Sequence, residues 1–263
     1  MTSEIKSKEN ANVKHAVKLL SSAKFRKENR QFIIEGVRLC ADAVSSCVKI
    51  EKVFYTEKCY EKFQKDVDKI LNVAGQSFVV TDNIINLISD TDSPQGVVCV
   101  CSFIDKKIQM NKIKECKSVV ILENIQNPSN LGAIFRTCNA FGIEFVAITP
   151  GCCDVYNPKV LRSSMGSVFR LSIEVVDDMP GFINFLNENN FKTYATSVGA
   201  GAVPIKKIKF ENKSAVVFGN EGNGVTAEAS NACKEKITIP MNENAESLNV
   251  SIAAGIIIWE MAK

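Results

Sequence analysis

The 263-residue sequence predicts an α/β protein of two units, the second built on a parallel sheet. Three observations carry this. Near-continuous apolar runs such as SVVIL (118–122), EFVAIT (144–149) and AVVFG (215–219) alternate with stretches of helical spacing, the pattern of a parallel sheet covered on both faces. A mostly polar run from Asp105 to Lys117 interrupts the series and divides it. Turns rich in glycine and asparagine follow the strands and lead into helices, where ligands of such sheets bind.

Taken in order, Ala11 to Ser22 places Val13, Ala16, Val17, Leu19 and Leu20 on one helical face. A strand is predicted at Gln31–Ile34 and a helix at Glu35–Ser45. There follow a strand at Ile50–Tyr55, a helix at Tyr60–Leu71, a strand at Ser77–Val80, a helix at Asp82–Ser89 and a strand at Gly96–Phe103. These form a small α/β domain over residues 1–104, joined by a linker at 105–117 to a second domain at 118–263. The second domain begins with SVVIL, a helix at Asn130–Phe141 and EFVAIT. It continues with a helix at Pro158–Val168, the strand LSIEVV, a helix at Pro180–Asn190 and the strand KTYATS. Past a loop containing Lys206, Lys207 and Lys209 lie AVVFG and a short helix at Thr226–Cys233.

The chain closes on ITIPMNENAESLNVSIAAGIIIWEMA, Ile237 to Ala262. A β-branched run ends at Pro240, a loop rich in Asn and Glu follows, Ser247 stands at the N-cap position, and Leu248–Met261 reads as an almost wholly buried helix. Small or amide side chains in its first turns (Asn249, Ser251, Ala253, Ala254, Gly255) allow close approach of a backbone or a flat ligand. Two readings stand: a helix sealing the sheet, or one wall of a ligand pocket at a helix N-terminus.

Composition narrows the class. With 46% hydrophobic and 23% charged residues the chain has material for two cores. No apolar run approaches membrane-spanning length, and the polar start MTSEIKSKENANVKHAVK lacks a secretory apolar segment, so a cytoplasmic protein is expected. The ten cysteines are scattered without a CxxC, which predicts reduced core thiols, and the only histidine, His15, lies in a basic N-terminal helix. A zinc site and histidine-activated nucleophiles are thereby disfavoured. Residues 1–38 hold nine Lys or Arg (Lys6, Lys8, Lys14, Lys18, Lys24, Arg26, Lys27, Arg30, Arg38) against four Glu, which is either a solvated surface or a footprint for phosphates. No GxGxxG follows a strand and no GxxxxGK[ST] occurs, excluding the common dinucleotide and P-loop sites.

The unusual residues fall in three strand-end loops: ENIQNPSNLGAIFR (123–136), FGNEGNGV (218–225) and the closing stretch. Each has a plain structural reading as turns and positive-φ glycines. Their coincidence at the strand ends of one sheet points to a ligand site.

Together, NPSNLGAIFRTCNAFG, FGNEGNG and IPMNENAESLNVSIAAGI resemble the three motifs of the SpoU (TrmH) family of RNA ribose 2′-O-methyltransferases, in the family's order. YNPKVLRSSMGSVFRL (156–171) resembles a further family segment, and KFRKENRQFIIEGVRLCADAV its N-terminal substrate-binding domain. The resemblance implies a SPOUT fold with a deep C-terminal trefoil knot. It also implies a homodimer with active sites near its interface, and S-adenosylmethionine held in a bent form largely by backbone groups. By motif, cofactor contacts would fall at Thr196, Gly199, Gly219, Ile239, Met241, Leu248 and Val250. The catalytic set would be Arg136, Asn130, Glu221, Ser247 and Asn249, and RNA contacts Arg26, Lys27, Arg30 and Arg162. Neither a metal nor a membrane is implied.

In those roles the residues make physical sense. Methyl transfer from a sulfonium to a hydroxyl is an in-line displacement, so alignment and removal of the hydroxyl proton are the protein's tasks. An arginine holds its proton too firmly to serve cheaply as base, so Arg136 is expected to grip a phosphate and stabilise negative charge, with Glu221 orienting Arg136 or Asn130. Ribosomal RNA is the expected substrate and transfer RNA the alternative. A silent RNA-binding module, a base-nitrogen methyltransferase and a small-molecule enzyme are the competing classes.

Overall fold

The computed structural model describes residues 2–104, 110–199 and 201–263. These group into two compact units: the residues up to 104 with 154–169, and 110–153 with 170–263. The sequence places 154–169 in the second domain; its contacts place it in the first. Residues 105–109 of the expected linker lie outside the described residues.

In the first unit the elements run β1 (Thr2–Ile5), α1 (Ala11–Ser21), α2 (Ala23–Asn29), β2 (Gln31–Glu35), α3 (Val37–Ser45), β3 (Ile50–Tyr55), α4 (Glu57–Val73), β4 (Gln76–Val80), α5 (Asp82–Ile88) and β5 (Val97–Ser102). The five strands form a mixed sheet of order β1-β4-β3-β5-β2. Strand β1 is absent from the sequence reading. Three of its four residues are exposed and it pairs only with β4, so it carries no apolar alternation. Val13, Ala16 and Leu19 of α1 pack with Ile84, Ile85 and Ile88 of α5 on one sheet face, as their helical spacing predicts. His15 is structural: its Nε2 pairs with Gln31 Oε1 at 2.7 Å and its ring meets Phe25 edge-on.

In the second unit α6 (Met110–Ile113) precedes β6 (Ser118–Leu122), α7 (Pro128–Ala140) and β7 (Phe145–Ile148). The helix α8 (Pro158–Ser163) belongs to the first unit. There the predicted helix through Val168 breaks, because Met165 and Gly166 take positive φ. The second unit resumes with β8 (Ser172–Val175), α9 (Met179–Glu188), β9 (Lys192–Thr196), β10 (Val203–Pro204), β11 (Ser214–Phe218), α10 (Ala227–Ala232), β12 (Glu235–Thr238) and α11 (Val250–Met261). Its seven strands lie in the order β10-β12-β9-β11-β6-β7-β8 with every pair parallel, the predicted sheet. Alternate residues Val119, Ile121, Ala215 and Val217 pack under Met179, Phe182 and Ile183 of α9 and Ala229 of α10.

Helix α11 departs from expectation. Asn249, not Ser247, is its N-cap, accepting from the Ser251 N–H. Nor is the helix almost wholly buried: Ala254, Ile257 and Ile258 face the core, while Ile252, Ile256 and Trp259 stand 55%, 38% and 51% exposed along one stripe. Among the described residues, no helix is long and apolar enough to cross a membrane. The ten cysteines are free, and burial drives the thiols of Cys40, Cys101 and Cys138 well above their ordinary range, so these pack as neutral core groups.

Candidate functional site

Running out from β6, the chain moves through β7 to the β8 edge, then returns to build β9, β11 and β12 on the other side of β6. Beside this reversal the carboxyl ends of β9, β11 and β12 open into a cleft of about 390 Å³. Its floor and walls are apolar, with Phe218, Ile237, Ile239, Leu248, Val250 and Ile257, while Ser197, Asn220, Glu221, Ser247 and Asn249 supply polar groups. That mixture suits a flat ligand with an apolar body and polar edges.

The turn after β11 is built tightly. Asn220 and Gly224 exchange backbone hydrogen bonds of 3.0 and 2.9 Å, and Asn220 Oδ1 accepts from the N–H groups of Gly222 and Asn223. Gly219 lies against this bridge; a Cβ there would sit 2.1 Å from the Gly224 carbonyl carbon and the Val225 nitrogen. Glycine is required by close approach, not by φ.

Three loops meet through one polar chain. Asn127 caps α7, accepting from the Ser129 N–H, with Pro128 in the first turn. This directs Asn130, 8% exposed, at Glu221, whose Oε1 accepts from Asn130 Nδ2 at 2.9 Å and from the Asn127 N–H at 3.3 Å. Asn130 Oδ1 accepts in turn from Asn249 Nδ2 at 3.1 Å. Burial works against the Glu221 charge, but the hydrogen bonds from Asn130 and from nearby backbone N–H groups outweigh it and hold the carboxyl below the usual range.

Of the residues expected to hold a cofactor, Thr196, Gly219, Ile239, Met241, Leu248 and Val250 line the cleft; Gly199 does not. The Thr196 hydroxyl is spent inside the sheet, donating to the Val217 carbonyl at 2.9 Å. In the expected catalytic set, Glu221, Ser247 and Asn249 line the cleft and Asn130 stands behind them. Arg136 is exposed on α7 and is not in the lining. Six residues past Asn130, it lies about 9 Å farther along the axis on another face of the helix. Glu221 therefore orients Asn130, not Arg136.

Two expected RNA contacts are spent inside the first unit. Arg26 is 3% exposed, pairs with Asp154 Oδ2 at 2.7 Å and donates to the carbonyls of Leu19 and Leu20. A buried guanidinium is not part of a phosphate-binding surface, which corrects that expectation. Arg162 donates to Glu35 at 3.2 Å and to Asp90 at 2.6 Å. Lys27 and Arg30 are exposed, Arg30 lying over the Phe103 ring.

One site residue escaped the sequence reading. Glu123, 5% exposed at the end of β6, accepts from both the N–H and the hydroxyl of Thr226 at 2.8 Å, fastening the far side of the Gly219–Gly224 turn. Its only sequence signal is an acid closing an apolar strand.

Residues 117–259 match the SpoU rRNA Methylase family, and residues 10–99 match the MRM3-like substrate binding domain. The chain is 29% identical over 258 residues to the 23S rRNA (guanosine(2553)-2′-O)-methyltransferase RlmP of Bacillus subtilis, spanning 98% of each. It is 38% identical over 143 residues to the tRNA (guanosine(18)-2′-O)-methyltransferase of Thermus thermophilus, spanning 54% of this chain and 72% of that one. The AdoMet-bound rRNA methyltransferase from Sinorhizobium meliloti superposes with a TM-score of 0.86 at 27% identity, covering 99% of this chain and 97% of that one.

Proposed function

Because this chain belongs to the SpoU rRNA methylase family, we propose that it transfers a methyl group from S-adenosylmethionine to a ribose 2′-hydroxyl of ribosomal RNA. The observation that carries the reading is the Glu221–Asn130–Asn249 chain at the mouth of an apolar cleft, which joins the three motif loops. The cleft suits the cofactor: apolar side chains at Ile239, Leu248 and Val250 wall a space that an adenine ring would fill. At Gly219 no side chain stands between the turn and the cleft. When bound, S-adenosylmethionine supplies the electrophilic methyl group.

What the chain itself contributes is alignment. Glu221 fixes the Asn130 amide, Asn130 fixes that of Asn249, and the polar edge of the cleft is held in one orientation before RNA arrives. Arg136, outside its own chain's cleft, is assigned to the phosphate beside the target ribose, where its planar fork suits two oxygens. Arg136→Lys tests this: near-normal turnover with unchanged RNA affinity contradicts a bidentate grip.

The partner and setting belong to the same proposal. Ribosomal RNA is favoured over transfer RNA because the relative named for 23S rRNA aligns over 98% of this chain, whereas the tRNA enzyme aligns over 54%. The apolar stripe Ile252, Ile256 and Trp259, with Arg136 exposed on the helix that packs against α11, supports a homodimer in which one chain's arginine serves its partner's cleft. The closing loop and α11 are proposed to be threaded as the family's trefoil knot, and the ten free cysteines favour a reducing compartment such as the cytoplasm.

Transfer of labelled methyl from S-adenosylmethionine to deproteinised ribosomal and transfer RNA, followed by nucleoside analysis, tests the reading. The expected product is a 2′-O-methylnucleoside in ribosomal RNA. Label on a base nitrogen, or none on either RNA, overturns it.

A further inference from the structure

Lysines 206, 207 and 209 have no part in the site as described, yet the fold places them beside it. In the edge pairing Val203 is level with Ile237, which is level with Thr196 at the end of β9. The parallel strand β10 points past this level, so the turn Ile205–Lys207 that follows it lies beyond the carboxyl edge of the sheet, the edge on which Thr196, Ile237 and Ile239 open into the cleft. The segment is pinned, not loose. Ile205 is 7% exposed, and Phe210 meets the buried Tyr194 ring edge-on at 5.1 Å. Between these anchors Lys206, Lys207 and Lys209 stand exposed.

Their side chains are without partners, unlike those of three lysines on the neighbouring strands and loops. Near the opposite ends of the strands, Lys192 pairs with Glu235, Lys213 donates to the Asn189 carbonyl and Lys234 to the Phe191 carbonyl. Among the described residues, Lys206, Lys207 and Lys209 make no ion pair or hydrogen bond. Residues 189–210 contain no Asp or Glu; the nearest acid along the chain is Glu211, and the acids Glu243 and Glu246 sit on the exposed loop leading to α11. Three unneutralised cations on an anchored segment at the rim of a catalytic cleft form a surface for a polyanion. In the first unit, by contrast, Arg26 and Arg162 are consumed by internal pairs.

We infer that Lys206, Lys207 and Lys209 bind the phosphates of the RNA substrate, so that the catalytic unit grips RNA by itself as well as through the N-terminal unit. This rests on the RNA methyltransferase reading above. Such contacts carry no sequence information; they set register and strengthen binding in a salt-dependent way.

The test compares the full-length chain with the variant Lys206→Gln/Lys207→Gln/Lys209→Gln, and with Lys112→Gln/Lys114→Gln/Lys117→Gln as an equal charge loss at exposed positions before β6, on the amino edge of the same sheet. Affinity for deproteinised bacterial 23S ribosomal RNA is measured across a salt series, and S-adenosylmethionine binding by calorimetry. The expected result is a salt slope shallower by about 2 to 3 and affinity at least about tenfold lower at moderate salt for the first variant only. Cofactor binding is expected to stay unchanged. An unaltered slope, or an equal fall in the control variant, overturns the inference while leaving the methyltransferase reading intact. Lysine-dependent RNA binding without any methyl transfer supports the inference and removes that reading. Wild-type chain that shows no salt-dependent binding overturns the inference.

Discussion

Glu221 Oε1 accepts a hydrogen bond from the Asn130 side-chain amide at 2.9 Å, across 91 residues of sequence. Because an ionised carboxylate can only accept, this bond fixes which end of the Asn130 amide faces it. The other end must then accept, so Asn249 presents its NH₂ to Asn130 and leaves its own oxygen to cap α11 through the N–H of Ser251. One charge thus sets two amides and a helix start.

Replacing Asn130 by Asp puts a second carboxylate against Glu221, and the pair must share a proton or separate. Misalignment of this kind costs about a hundredfold in turnover. Single-turnover methyl transfer by Asn130→Asp checks it; a loss of only two- or threefold, within about 0.7 kcal/mol, shows that the relay is dispensable.

The lowered pKa of Glu221 gives a pH signature. Its folded value lies below the ordinary 4.5, so the stability it contributes is present above that value and is lost as pH falls through the lower folded one. Wild type should therefore melt higher than Glu221→Gln near neutrality, and the gap should close on acidification below the ordinary carboxylate range. Parallel thermal melts from about pH 7 to about pH 3 decide it; a gap that widens in acid contradicts the assignment.

Gly219 and Gly222 should respond differently to alanine. At Gly219 the added Cβ meets backbone at 2.1 Å, whereas at Gly222 the nearest atom is Asn220 Oδ1 at 3.6 Å. Gly219→Ala is expected to destabilise the fold by about 1–3 kcal/mol. Gly222→Ala is expected to stay within about 0.5 kcal/mol of wild type. Denaturant midpoints measure both, and equal stabilities would disprove the close approach at Gly219.

For the apolar stripe on α11, Ile252→Glu places a charge on a surface 55% exposed in one chain. The variant should fold but sediment as a monomer and lose methyl transfer. Wild type sedimenting as a monomer at working concentration would remove the dimer reading.

Arg26→Met removes one partner of a buried ion pair and leaves Asp154 and two carbonyls short of a donor. A loss of roughly 2–4 kcal/mol is expected, with RNA affinity below the melting range unchanged. Lys27→Ala should show the reverse. RNA binding that falls in Arg26→Met while stability holds would return Arg26 to the surface patch.

Much of this protein was legible before folding. Strand runs such as SVVIL and the alternation around them depend on local spacing, whereas the helix expected at Asn130–Phe141 starts two residues earlier, at Pro128, because Asn127 caps it. The motif loops were visible because glycine and asparagine mark turns wherever they stand. Tertiary structure decided the rest. Arg26 reads as one more basic residue until Asp154, 128 positions away, buries it. The cap fell to Asn249 instead of Ser247 because Asn130 fixes that amide from another loop. The unpartnered state of Lys206, Lys207 and Lys209 likewise depends on which acids the fold brings near, since side-chain pairing is long-range and chain spacing is not.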